Sequence, residues 1–149
     1  MPIPFSGGCA CGAIRYTCAA EPIIAWQCHC RDCQRASGGA CAPVFYLAKS
    51  ALTVTGEIKY YNVQAKSGNT VSRGFCPECG SPLCALLSTL PTVVSIRIGS
   101  LDDPSWVQPS MDIWTVSAQP WDYLNPALSK KVETQPTKEQ LEELFIPRG

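Results

Sequence analysis

Seven of the ten cysteines fall in three tight groups: Cys9 and Cys11 as C-x-C, Cys28, Cys30 and Cys33 as C-H-C-x-x-C, and Cys76 and Cys79 as C-P-E-C-G. Thiols crowded this way pair as disulfides, cycle as a redox centre, or hold a soft metal ion. A reactive C-x-x-C dithiol opens a helix whose N-terminus depresses the first thiol's pKa. Gly80-Ser81-Pro82 follows Cys79 at once, so no helix continues from it. The opening residues Met-Pro-Ile-Pro-Phe-Ser-Gly-Gly have neither the charged nor the apolar region of a signal peptide. The expected location is the cytoplasm, where thiols stay reduced and dense cysteine points to metal rather than to disulfides.

Zinc takes a tetrahedron of thiolates, and both C-x-x-C and the tighter C-x-C present two sulfurs to one ion. Gly12 follows Cys11 and Gly80 follows Cys79. Glycine permits the positive φ that wraps backbone amides around a thiolate. Cys9 and Cys11 therefore pair naturally with Cys76 and Cys79 in a closed, structural four-thiolate site. Cys28, Cys30 and Cys33 supply only three ligands. Either the fourth position is open to water or a thiol substrate, as in catalytic zinc, or His29, Cys41, Cys84 or Cys18 closes a second structural site.

The remaining candidates carry bland readings beside the functional ones. His29, the sole histidine, reads as a supporting or packing residue rather than a ligand. Cys18, Cys41 and Cys84 read as small buried hydrophobes. Arg31 and Arg35 lie four apart beside the middle cluster, either to receive carboxylates of a peptide-like thiol or as solvated helix charges. Arg73 either offsets thiolate charge near Cys76 or faces solvent. Trp106, Trp114, Trp121 and Tyr123 read as core before cleft lining.

These residues need a scaffold, and strand signals dominate it. Runs rich in Val, Ile, Tyr and Thr predict strands over 13–18, 22–27, 42–47, 57–62, 70–75, 92–98 and 112–116. A short helix over 31–36 is expected to end at Gly38-Gly39. Cys28 then ends a strand, and Cys30 and Cys33 sit one turn apart. Thr137 and Gln140 have capping-box spacing for a C-terminal helix over about 137–145. The expected class is all-β with minor helix, in one domain of 149 residues. With 46% hydrophobic residues a core forms without stapling. Twelve basic residues balance twelve acidic ones without clustering, which argues against a nucleic-acid partner. No apolar run approaches the ~20 residues of a membrane span.

The order Gly8-Cys9-x-Cys11-Gly12-x-x-x-Tyr16, Cys28-His29-Cys30-x-x-Cys33 and Phe75-Cys76-x-x-Cys79-Gly80-Ser81-Pro82 resembles the glutathione-dependent formaldehyde-activating enzyme family, which includes the centromere protein V group. Gly99-Ser-Leu-Asp-Asp103 and Pro120-Trp121 agree, and the likeness runs from about residue 8 to 121. The resemblance implies a β-tent of packed antiparallel sheets and two zinc ions. It places structural ligands on Cys9, Cys11, Cys76 and Cys79 and catalytic ligands on Cys28, Cys30 and Cys33. It also implies a carbon–sulfur lyase joining formaldehyde to glutathione as S-(hydroxymethyl)glutathione. One departure is Asp112, which precedes Ile113-Trp114 where the family often has His. The expectation is a zinc-dependent carbon–sulfur lyase acting on a small thiol such as glutathione and an aldehyde-like electrophile. The alternative is a non-catalytic binding module with two structural zinc sites.

Overall fold

The computed structural model describes residues 2–66, 68–128, 130–137 and 139–140. The strands are β1 (Phe5–Gly8), β2 (Arg15–Cys18), β3 (Ile24–Cys28), β4 (Ala42–Ala48), β5 (Leu52–Thr55), β6 (Lys59–Gln64), β7 (Thr70–Phe75), β8 (Pro82–Leu87), β9 (Val93–Arg97), β10 (Met111–Ile113) and β11 (Lys130–Val132). One α-helix, α1 (Arg31–Ser37), joins β3 to β4. The protein is mostly β. A three-stranded sheet runs β1-β2-β5, and an eight-stranded sheet runs β11-β10-β3-β4-β9-β8-β7-β6. Pairing is antiparallel except at β10, which runs parallel to both β3 and β11. No helix among the described residues is long and apolar enough to cross a membrane.

Side chains alternate along a strand, so pairing register decides what each face of the large sheet carries. Val44 lies opposite Arg97, Tyr46 opposite Ser95, and Trp26 opposite Val44. Ala85 lies opposite Ser95 and Arg73 opposite Ala85. One face thus carries Trp26, Cys28, Val44, Tyr46, Ser95, Arg97, Ala85 and Arg73. The other carries Phe45, Leu47, Cys84, Val94 and Ile96, which form a single core with Phe5, Ile14, Tyr16 and Cys18 of the small sheet and its turn. Phe5 anchors this interface, edge-on to Phe45 at 5.8 Å and to Trp106 at 4.8 Å. The first face is only partly filled, by Ile24, Met111, Ile113 and Val93, and there the functional groups collect.

The expected strand over 70–75 has the bounds of β7, and α1 ends at Gly38 in the left-handed conformation, φ 73°. The strand expected over 112–116 stops at Ile113, because Trp114 turns left-handed (φ 57°) into a 3₁₀ turn at Thr115–Ser117. β1, β5, β8 and β11 lie outside the expected runs. Thr137 and Gln140 do exchange backbone-to-side-chain hydrogen bonds, at 2.7 and 3.2 Å; the rest of the C-terminal helix expected there lies outside the described residues.

Candidate functional site

Cys9 and Cys11 occupy the turn between β1 and β2, and Cys76 and Cys79 the turn between β7 and β8. One turn belongs to each sheet, so the four sulfurs join the two sheets at one end. All four Sγ atoms lie within 4.8 Å of one another. Cys9 Sγ is 3.6 Å from Cys11 Sγ, which is 3.7 Å from Cys76 Sγ. A tetrahedron of sulfurs about 2.3 Å from a central ion has edges of about 3.8 Å, so the donor set fits a tetrahedral metal ion. Gly12 (φ 80°) and Gly80 (φ 77°) take the left-handed conformation. The turns aim amides at sulfur: Ile14 N–H donates to Cys9 Sγ (3.3 Å) and Glu78 N–H to Cys76 Sγ (3.4 Å). Ser81 Oγ lies 3.2 Å from Cys79 Sγ, and this contact, with backbone amides, lowers the Cys79 thiol to about 5. Ser81 Oγ also accepts from Ala10 N–H at 3.0 Å, a second tie between the turns.

Cys28 ends β3, Cys30 caps α1, and Cys33 lies in its first turn, where its N–H donates to Cys30 Sγ at 3.3 Å. These three sulfurs also lie within 4.8 Å of one another. Cys18 and Cys84 are buried in the inter-sheet core, and neither they, Cys41 nor His29 belongs to this cluster. Among the described residues, three donors therefore meet here. The segment is held from three sides: His29 N–H donates to Ile113 O (3.0 Å), and the Gln34 amide donates to His29 O (2.7 Å) and Ser117 O (3.0 Å). The buried His29 ring lies between two carboxylates. Its Nε2 is 2.9 Å from Asp112 Oδ1. Its Nδ1 is 3.2 Å from Asp122 Oδ2, in ion-pair range but outside hydrogen-bond geometry. Asp112 is fully buried; it supports His29 from β10 and does not line the cavity.

The cluster opens into a cavity with about 160 Å³ of water-accessible space. Its apolar wall includes Trp26, Val44, Tyr46, Val71, Leu87 and Trp114, and its polar lining includes Arg31, Lys66, Asn69, Arg73, Ser95 and Arg97. Arg73 Nη2 is 3.8 Å from Cys33 Sγ. This corrects the placement of Arg73 near Cys76: it projects from the cavity face of β7, on the side of the middle cluster. The Cys33 thiol is pushed down to about 3, first by hydrogen bonds from Cys28 and Cys30 and then by Arg73. Cys28 is pushed up, first by its hydrogen bond with Cys30.

Of the helix arginines, Arg31 lines the cavity and hydrogen-bonds Gln34, whereas Arg35 is exposed and does not line it. Trp106 packs into the inter-sheet core, and Trp114 lines the cavity with its Nε1–H donating to Gln135 Oε1 at 3.1 Å. Trp121 and Tyr123 are exposed, contrary to the core reading, because they lie on a strandless stretch beyond either sheet. Arg97, Asp122 and Gln34 were not singled out in the sequence. Only Arg97 left a trace there, as the one cation inside the apolar run 93–98.

No curated protein sequence matches the chain. A crystal structure of a Rhodobacter sphaeroides protein is similar in fold, with a TM-score of 0.53 at 22% identity, covering 70% of this chain and 91% of that one. The family model described as "Glutathione-dependent formaldehyde-activating enzyme" matches residues 4–117 and so takes in all three cysteine groups. With that match across most of its length, the chain belongs to the glutathione-dependent formaldehyde-activating enzyme family.

Proposed function

We propose that the protein is a zinc-dependent carbon–sulfur lyase-type enzyme that joins a small thiol, glutathione or a close analogue, to an aldehyde. The observation that carries this reading is the contrast between the clusters: four sulfurs in one, and three facing a cavity in the other. In this reading Cys9, Cys11, Cys76 and Cys79 hold a structural zinc, and Cys28, Cys30 and Cys33 hold the second. Zinc bound by three thiolates supplies a position where a substrate thiol stays ionised at neutral pH. Cys28, Cys30 and Cys33 fix that position against the wall of Trp26 and Tyr46, which excludes water from the reacting pair. Arg73 offsets the negative charge that collects at Cys33. Arg31, at the cavity, is placed to meet the anionic ends of a peptide-like thiol. Holding thiol and aldehyde together converts an encounter in solution into a reaction within one cavity. The test is exchange spectroscopy of glutathione with formaldehyde over zinc-loaded protein. Accelerated formation of S-(hydroxymethyl)glutathione by the native chain and not by Cys30→Ser is the expected result. Equal rates with both proteins, or with none present, would leave a binding module with two structural zincs as the function.

A further inference from the structure

Arg97 is only 8% exposed, and its Nη1 is buried with no hydrogen-bond partner. It projects from β9 into the cavity, on the face that carries Ser95, with apolar Val44 opposite it on β4. A desolvated guanidinium without a partner is costly, and a protein retains one where something else completes it. The thiol cluster does not need it. Three thiolates around one divalent ion leave a single net negative charge, and Arg73 already faces Cys33 at 3.8 Å. Burial pulls the Arg97 pKa down, and Arg73 opposes its charge while the nearby thiols favour it. Arg31, Lys66 and Arg73 line the same small cavity, and Arg97 is the buried cation among them, with an unpartnered Nη1.

We propose that Arg97 anchors a carboxylate on the molecule that reacts at the Cys28–Cys30–Cys33 cluster. The carboxylate completes the Nη1 hydrogen bond and neutralises the surplus charge, and its bidentate fit to guanidinium fixes the angle at which the reacting end meets the cluster. The group arrives on either of two reactants, a carboxylated thiol or a carboxylated aldehyde of the 2-oxo-acid type. The thiol case rests on the function proposed above; anion binding at Arg97 does not.

The test is calorimetric titration of zinc-loaded native protein, Arg97→Met and Arg97→Lys. In the thiol arm 3-mercaptopropionate is compared with 2-mercaptoethanol, and in the aldehyde arm glyoxylate is compared with acetaldehyde. The expected result is a preference of about tenfold or more for the carboxylated member in at least one arm. Arg97→Met abolishes that preference and leaves the neutral ligand's affinity unchanged, and Arg97→Lys keeps part of it. Ligand-free Arg97→Met should melt no lower than native protein, because an uncompleted buried charge is lost. No preference in either arm, a preference that survives Arg97→Met, or a fall in melting temperature with equal weakening for neutral ligands would overturn the anchor. If no thiol binds but glyoxylate binds through Arg97, the lyase reading fails and the anchor stands.

Discussion

At the scale of the residue, the three-sulfur cluster depends on neighbours that donate no ligand. His29 lies between Cys28 and Cys30 in the chain, and its ring is occupied by Asp112 and Asp122. Asp112→Ala leaves the His29 ring without its hydrogen-bond partner. The expected cost is about 2–4 kcal/mol in denaturant unfolding, together with weaker metal binding at the middle cluster, read by competition with a chromophoric chelator. A variant as stable as native protein with unaltered metal affinity would show that the pair does not position the cluster. The carboxylate of Asp112 on β10 is matched to the imidazole of His29 on the β3–α1 connection. The cysteine spacing was legible because metal ligands come in local pairs whose geometry is set by two or three residues. The same holds for Gly12 and Gly80, whose positive φ the turns require. Arg97 and Asp122 were not legible, since their partners come from register and from turns far along the chain.

At the scale of the element, the sheets divide the labour between their faces. Runs rich in Val, Ile, Tyr and Thr made β7 and most of β3, β4 and β9 readable. β1 was missed because Ser6-Gly7-Gly8 carries no strand propensity, and β8 because it opens on a proline, a position a strand tolerates at its first residue. Both are held by what they pack against rather than by their own composition. Phe45, fully buried between the sheets, is the side chain on which that packing turns. Phe45→Ala should cost about 3–5 kcal/mol and lower the denaturation midpoint with both metal sites still loaded at low denaturant. Loss of the metals before any unfolding would place the stabilising weight in the clusters instead. Gly80→Ala forces a side chain into the left-handed region with open space around it. An expected loss of about 1 kcal/mol, measured by thermal melting, isolates the backbone requirement of the β7–β8 turn from any steric clash.

At the scale of the whole molecule, four sulfurs join one sheet to the other and three face the cavity on the far side of the large sheet. Cys9→Ser should therefore unfold the protein or strip most of its stability, because the metal's binding energy there is folding energy. Cys30→Ser should lose one ion and little stability, with both outcomes read by metal analysis alongside thermal melting. A chelator should likewise remove one ion rapidly, from the cavity cluster, and the other only with unfolding. Equal stability losses in the two variants would erase the distinction between a structural and a working site. The most direct measurement of that distinction is zinc-edge X-ray absorption on fully loaded protein titrated with glutathione. The predicted result is that one of the two ions exchanges a light-atom ligand for a fourth sulfur on addition of glutathione, and that Cys30→Ser shows no such change. A sulfur shell already complete at both ions, or unaltered by saturating glutathione, would contradict it.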